Sequence, residues 1–546
     1  MAFKSSFFRN LSCWTPVGRV LICAMLIAAL PIETTFGADK IANTSACAAI
    51  AELANPGFVV EKAEIVPAGP APGPMSMGAK LPEHCLVQGM LNPRIGVGGH
   101  KFGIGFDLRM PTDWNNRFVF QGGGGMDGEL PPALGNIFGA VRPSALERGF
   151  AVVGTDGGHR GSMMDASYGV DQQARIDYAY NALDKVTLKA KELVERYYGA
   201  GPKYSYLLGC SNGGRQGLMA SQRFPLYFDG IVAGDPSIRF SRIAVDQMWN
   251  LQVPARIAPK DENGRPIISR SFSDGDLRLV ADGVLRHCDA LDGLADGMIN
   301  DWQACDFDPG VLTCKGKKTD KCLSEAQVGV LRDMYSGPRT SDGTPLYGAY
   351  NYDTGIVEAW RSMHIGSSGT GEWDAADATL GLSNMRFYQL TPPDPDLDPL
   401  DFDFDRDVER TRYTGAMSDV DSPFLSTFAL HGKMIVYNGL SDEGMASSVL
   451  ADWYDEVVSV NGESIRDSVR LFLIPGMCHC SGGQATDEFD KLETIMAWVE
   501  EGRAPDRIEA TGRAFPGISR PLCPYPLVAR YKAGDLNNAD SFVCTE

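Results

Sequence analysis

The run Tyr204-Ser-Tyr-Leu-Leu-Gly-Cys-Ser-Asn-Gly-Gly-Arg-Gln-Gly-Leu-Met-Ala-Ser-Gln-Arg-Phe224 decides how the rest of the chain is read. Tyr204 to Leu208 is aromatic and apolar with no breaker, which predicts a short buried strand. Gly213 to Arg223 is rich in helix formers, with Leu218 and Met219 apolar among them, which predicts a helix. Between them Gly209-Cys210-Ser211-Asn212-Gly213 fits G-x-S-x-G. On a tight strand-to-helix turn this pattern exposes a serine Oγ, and glycines flank it because a Cβ there would strike the neighbouring strand and helix. The amide of Asn212 is then free to bind an oxyanion. The pattern alone is common, and the bland alternative is a βα turn that happens to carry a serine. The strand before and the helix after make Ser211 a candidate nucleophile.

Working upstream, Phe102 to Met110 alternates in strand fashion, and Arg117 to Phe120 is a short apolar strand running into Gln121-Gly-Gly-Gly-Gly-Met-Asp-Gly128. Four glycines after a strand suit a phosphate cradle, but no lysine follows at P-loop spacing. The other use is an oxyanion-hole loop, in which the amides of Gly123 to Gly125, Gly124 and Gly125 above all, come close to a carbonyl. Phe150 to Gly154 is another buried strand, Arg175 to Tyr198 a long helix, and Phe228 to Gly234 the next strand. The alternation predicts a doubly wound α/β sheet.

Downstream the character changes. Residues 238–428 hold four cysteines, several helical stretches and the acidic, proline-rich tract Pro392 to Arg410. The α/β rhythm resumes at Lys433 to Tyr437 and at Val469 to Ile474. The expected organisation is a catalytic domain in two parts, 39–237 and 429–546, with 238–428 inserted as a lid over the catalytic face.

A chain of 546 residues, 44% hydrophobic and 22% charged, is an ordinary globular protein large enough for a domain with an insertion. A formal charge of −19 argues against nucleic acid as a partner, because phosphate binding requires the opposite sign. At the N-terminus, Lys4, Arg9 and Arg19 precede the apolar run Val20 to Leu30, with small residues around Gly37 and Ala38. This predicts a signal peptide over residues 1–38 and a secreted or periplasmic protein, free of the membrane once cleaved. Removing Cys13 and Cys23 with the signal leaves eleven of the thirteen cysteines. None is paired in zinc-site C-x₂-C spacing, so disulfides are expected, with one thiol left over.

A serine nucleophile needs a histidine base, and the base an orienting carboxylate, in the chain order Ser…Asp/Glu…His on this fold. The strand ending at Tyr437 is followed by Asn438-Gly-Leu-Ser-Asp442-Glu443, and the strand ending at Ile474 by Pro475-Gly-Met-Cys-His479-Cys480. Of seven histidines, only His479 follows a strand downstream of the serine. His159 and His431 are rivals by neighbourhood, and Glu443 is the alternative to Asp442.

Gly209-Cys-Ser-Asn-Gly-Gly214 together with Pro475-Gly-Met-Cys-His-Cys480 resembles the tannase and feruloyl esterase family, which also contains bacterial mono(2-hydroxyethyl) terephthalate hydrolase. The resemblance extends to Gly122–Gly125, Thr155–His159, Asp401–Asp407 and the last cysteine pair. It implies an α/β-hydrolase fold with a large inserted lid and a serine carboxylesterase acting on esters of aromatic acids. It also implies a disulfide between the cysteine before the nucleophile and the one after the histidine, here Cys210 and Cys480. Cys478, where the family pattern has a small residue, could compete for Cys210. The expected set is therefore Cys47–Cys85, Cys210–Cys480, Cys288–Cys305, Cys314–Cys322 and Cys523–Cys544, with Cys478 free and a Cys210–Cys478 bridge as the alternative.

Cys288-Asp-Ala-Leu-Asp-Gly-Leu-Ala-Asp-Gly-Met-Ile299 sets Asp289, Asp292 and Asp296 around two glycines. Closely spaced carboxylates suit a hard cation, although the pattern is not an EF-hand. The resemblance implies a structural calcium ion in the lid, with the carbonyls of Leu294 and Met298 completing the ligands; the plain alternative is a solvated acidic turn. It further implies that the third residue after the triad aspartate, Met445, lines the substrate pocket. A flexible methionine cannot stack on a ring as phenylalanine would, which favours hydroxycinnamic or galloyl esters over terephthalate half-esters.

Overall fold

The computed structural model describes residues 44–71, 78, 80–137 and 143–546. The expected signal peptide lies outside the described residues. The architecture grows from strands apolar on both faces. Ala151–Thr155 and Gly230–Gly234 are buried at every position, the pattern of strands covered above and below. Nine strands form the main sheet: β1 (Phe58–Val66), β2 (His84–Ile95), β3 (Lys101–Pro111), β4 (Arg117–Gln121), β5 (Ala151–Thr155), β6 (Tyr204–Cys210), β7 (Gly230–Gly234), β8 (Lys433–Gly439) and β9 (Val469–Ile474). Their spatial order is β1-β2-β3-β5-β4-β6-β7-β8-β9. β1 to β3 pair antiparallel with one another and with β5, whereas β4 to β9 run parallel.

Parity divides the core. Phe118, Phe120, Leu207, Ile231 and Val436 join the cluster on one face, while Val119, Leu208, Val232 and Tyr437 join the other. Each fully buried side chain of this size contributes about 1.5–3 kcal/mol relative to leaving it exposed. The principal helices are α1 (Ala182–Tyr198), α2 (Asn212–Arg223), α3 (Phe240–Ala255), α4 (Asp274–Cys288), α5 (Glu325–Tyr335), α6 (Ser447–Asn461) and α7 (Lys491–Glu501). The expected helix Arg175 to Tyr198 is continuous but contains a π turn at Asp177–Asn181, immediately before α1. This is an α/β fold.

β7 and β8 are neighbours in the sheet, yet nearly two hundred residues separate them in sequence. That insertion carries α3 to α5 and apolar clusters of its own, one around Trp249, Phe272, Leu331 and Trp360. It belongs to the same compact unit as the sheet, Asn43–Glu546. All five expected disulfides are present, and Cys478 is the free cysteine among the described residues.

Candidate active site

Ser211 stands between β6 and α2 with φ 61° and ψ −122°. This left-handed backbone is rare outside glycine and costs on the order of 1–3 kcal/mol. It is held by the Ser211 amide donating to the Gly234 carbonyl at 2.9 Å and the Arg215 amide donating to the Ser211 carbonyl at 2.9 Å. The glycines are there for space. A Cβ on Gly209 would lie 2.4 Å from the Gly213 backbone, and one on Gly122 would lie 2.7 Å from the Gly213 Cα. The glycine loop after β4 can therefore seat directly on the turn that carries the serine. Asp127, Asp235 and Cys480 also hold positive φ without being glycine. Together with Ser211 they concentrate strained backbone at one place, as active sites do.

Asp442 follows β8, and His479 follows β9. His479 Nδ1 and Asp442 Oδ2 are 2.7 Å apart, with the carboxyl fully buried and the ring 28% exposed. The other Asp442 oxygen accepts the amides of Gly444 at 2.9 Å and Met445 at 3.1 Å. Burial works against ionising Asp442, but the His479 ring, the side chain of Asp235 and the Gly444 amide hold its carboxyl below the usual range. Burial opposes protonation of His479, and the Asp442 charge outweighs it, raising the ring to about 9. Glu443 points elsewhere. It accepts from Tyr335 Oη at 3.3 Å and Trp360 Nε1 at 3.1 Å, inside the insertion. Of the rival histidines, His159 is buried and stacked on Tyr168 with ring centroids 3.7 Å apart, and His431 is exposed.

The disulfide ties the loop that carries Ser211 to the loop that carries His479. Cys210 and Cys480 are bonded with their Cα atoms 5.9 Å apart. Each is the immediate neighbour of a candidate catalytic residue, Ser211 or His479. The insertion braces the same loops: the Asp353 carboxylate accepts the Gly476 amide at 2.9 Å, and the Gly355 amide donates to Ser441 Oγ at 3.0 Å.

Two carboxyls at the site went unread in the sequence. Asp235 closes β7 and is fully buried, and its carboxyl gathers with Asp442 and His479, the donor atoms lying within 4.8 Å of one another. Burial first, and the Asp442 charge second, push the Asp235 carboxyl far up; adjacent carboxylates do not both ionise. The only local signal was its position at a strand end. Asp127, in the glycine loop, has Oδ1 2.7 Å from Asn212 Nδ2 and Oδ2 3.3 Å from Gln216 Nε2. Burial raises its carboxyl to about 7, against the pull of Asn212 and Arg215. Gln216 Oε1 in turn accepts the Gly123 amide at 3.0 Å. That corrects one expectation: the Gly123 amide is already engaged and is not free to serve as an oxyanion donor. Apolar side chains crowd the same loops, with Met163 and Leu380 against Gly125 and Met363 against Gly444. Met445 is half-buried.

The acidic loop forms one 3-10 turn, Asp289–Asp292. Asp289 accepts the amides of Asp296 and Gly297, and Asp292 accepts those of Leu294 and Asn300. Burial raises Asp292 to about 6, with the Asp296 charge adding to it. Arg520 is paired with Asp296. Among the described residues the three aspartates do not converge as a set within 4.8 Å. A hard cation prefers ionised carboxylate oxygens, which it must win from their protons; the loop supplies three such carboxyls, and in that respect it fits one.

The model of the family described as tannase and feruloyl esterase matches residues 85–545. The chain belongs to the tannase and feruloyl esterase family. It is a carboxylic ester hydrolase. It is 40% identical to the mono(2-hydroxyethyl) terephthalate hydrolase of Piscinibacter sakaiensis, covering 92% of each chain. It is 29% identical to a probable feruloyl esterase of Arthroderma benhamiae, covering 96% of this chain and 98% of the relative. Among solved structures, feruloyl esterase B from Aspergillus oryzae superposes with a TM-score of 0.76 at 24% identity, over 92% of this chain and all of that one. The tannin acyl hydrolase of Aspergillus niger gives 0.70 at 22% identity, over 93% and 94%. At those identities the solved structures speak for the fold, and the hydrolases of this family share it.

Proposed function

We propose that the chain is an exported serine esterase that cleaves esters of hydroxycinnamic, galloyl or related aromatic acids through an acyl-enzyme. The observation that carries the reading is the 2.7 Å contact of His479 with buried Asp442, on a loop bonded through Cys480 to the residue before Ser211. Ser211 Oγ attacks the ester carbonyl carbon while His479 Nε2 takes its proton. Asp442 holds Nδ1–H and balances the imidazolium. The amides of Asn212, Gly124 and Gly125 face the oxyanion. Collapse breaks the bond to the alcohol, which leaves with the proton from His479. Water, deprotonated by the same ring, then releases the acid and restores Ser211.

Met445, half-buried beside Asp442, supports a pocket wall that adapts to substituted rings without stacking on them. A second reading, hydrolysis of terephthalate monoesters, is favoured by the 40% identity to mono(2-hydroxyethyl) terephthalate hydrolase. Turnover of methyl ferulate, methyl gallate, chlorogenate, a terephthalate monoester and p-nitrophenyl acetate decides between them. The first reading expects the highest kcat/KM on a hydroxyaromatic ester, and a preference for the terephthalate monoester would replace it with the second. A fluorophosphonate that labels a residue other than Ser211 would overturn both.

A structural calcium ion held by Asp289, Asp292 and Asp296 with the carbonyls of Leu294 and Met298 would neutralise the acidic loop and stiffen the insertion. Export fits five disulfides and the finding that no described helix is long and apolar enough to cross a membrane.

A further inference from the structure

The two sides of the oxyanion hole come from segments far apart in sequence, the glycine loop after β4 and the first residue of α2. A closed circuit of buried side chains joins them. From one end of the loop, the Gly123 amide donates to Gln216 Oε1 at 3.0 Å, and Gln216 Nε2 lies 3.3 Å from Asp127 Oδ2. Asp127 Oδ1 accepts from Asn212 Nδ2 at 2.7 Å, and Asn212 Oδ1 accepts from Arg215 Nε at 2.9 Å. Arg215 donates to the Tyr178 carbonyl at 3.1 Å, and Tyr178 Oη donates to the Gly125 carbonyl at 2.8 Å, at the other end of the loop. The Asp127 amide closes the turn on the Gly124 carbonyl at 3.0 Å.

We infer that Asp127 is a positioning residue of the oxyanion hole, its two oxygens fixing Asn212 directly and the glycine loop through Gln216. The inference rests on the serine esterase reading. Asp127 touches no reacting atom. When ionised it is the member of the circuit with only acceptors on its side chain, and its two donors sit on opposite oxygens. An asparagine cannot replace it without setting an amide NH₂ against one of those donors. Asp127, Asn212, Arg215 and Gln216 are all buried, where an unmatched donor is costly and its neighbours shift to relieve it. Arg215 supplies the opposite charge that keeps a carboxylate acceptable there. Asp127 also holds φ 50°, so the loop turns at the residue whose side chain ties it down. An oxyanion donor acts only when its N–H meets the tetrahedral oxygen, not the ground-state carbonyl. Displacing the loop should therefore weaken the transition state and spare substrate binding.

The test uses the full chain with p-nitrophenyl acetate as substrate and phenylboronic acid as the probe of the tetrahedral state, whose boron bonds to Ser211 Oγ. Asp127→Asn is expected to lower kcat by about 10- to 100-fold, less than the roughly 10²- to 10³-fold loss of a whole donor. KM should stay within about threefold, and boronate affinity should fall in parallel with kcat. Gln216→Met, which leaves the charge pair intact, should show the same pattern at about 3- to 10-fold, and it decides the matter if Asp127→Asn does not fold. Unchanged kcat and boronate affinity in a folded variant would overturn the inference, as would a loss confined to KM. A Ser211→Ala variant made alongside separates the two levels: if it stays active, the esterase reading has failed rather than the role of Asp127.

Discussion

Cys210 and Cys480 are bonded across 270 positions, and each is the chain neighbour of a candidate catalytic residue, Ser211 and His479. The bridge acts on the unfolded chain through loop entropy and on the active site through geometry. Closing a loop of this length is worth about 5–6 kcal/mol in the entropic model, an upper figure. We expect Cys210→Ala with Cys480→Ala to lower the Tm by many degrees and kcat by at least about tenfold even at temperatures where the variant is folded. Thermal melts and kinetics at low temperature check this. A folded double variant with wild-type kcat would mean that the loops hold their places without the bond.

Ser211→Ala removes one oxygen from a half-buried turn whose backbone is anchored at Gly234 and Arg215. It should leave the Tm within a few degrees and reduce ester turnover by several orders of magnitude, on the scale of about 10⁶ seen for such nucleophiles. Retention of more than about a hundredth of wild-type kcat would assign the nucleophile elsewhere.

The His479 ring titrates upward, from 6.5 to about 9, because the Asp442 charge outweighs burial. The folded protein thus holds the proton more tightly than the unfolded one. Stability from the pair is complete below the unfolded value of 6.5 and is lost as pH rises through about 9. With His479 as the proposed base, activity should run the other way, since a base must be neutral to accept a proton. Over the same interval kcat/KM should rise while the Tm declines. Asp442→Asn should shift the activity limb to lower pH and cut kcat by about 10⁴-fold. A kcat/KM limb centred near 6.5 in the wild type would contradict the coupling.

Calcium, where bound, should stabilise without entering the chemistry. EDTA is expected to lower the Tm, and added calcium to restore it, by binding the native state alone. Asp292→Ala should reproduce the loss and no longer respond to EDTA. Elemental analysis of the purified protein checks occupancy. No calcium and no thermal response to EDTA would return the loop to a self-capped acidic turn with Arg520 as its counter-ion.

The free thiol supplies a check on the pairing. Burial pushes the Cys478 thiol well up, with Glu358 adding to it, so alkylation of the native protein should be slow. Unfolding without reduction should expose it, and peptide mapping should find it unpaired. A Cys210–Cys478 peptide would contradict the bridge.

Much of this protein was legible in the sequence because it is written locally. A strand shows in Tyr204–Leu208, a helix in the residues after Gly213, and the turn between them in the glycines around Ser211. Asp442 and His479 were legible as candidates because each follows an apolar run in the expected chain order, and the structure pairs them at 2.7 Å. What the sequence could not show is how groups meet across long separations. Glu443 is adjacent to Asp442 and chemically its equal, but only the packing turns one toward His479 and the other toward Trp360. Asp235 and Asp127 carry no periodicity and no motif; they reach the candidate site because the sheet brings the first beside Asp442 and the glycine loop sets the second between Asn212 and Gln216. A buried carboxyl is defined by the donors that surround it, and here those donors arrive from other strands, helices and loops.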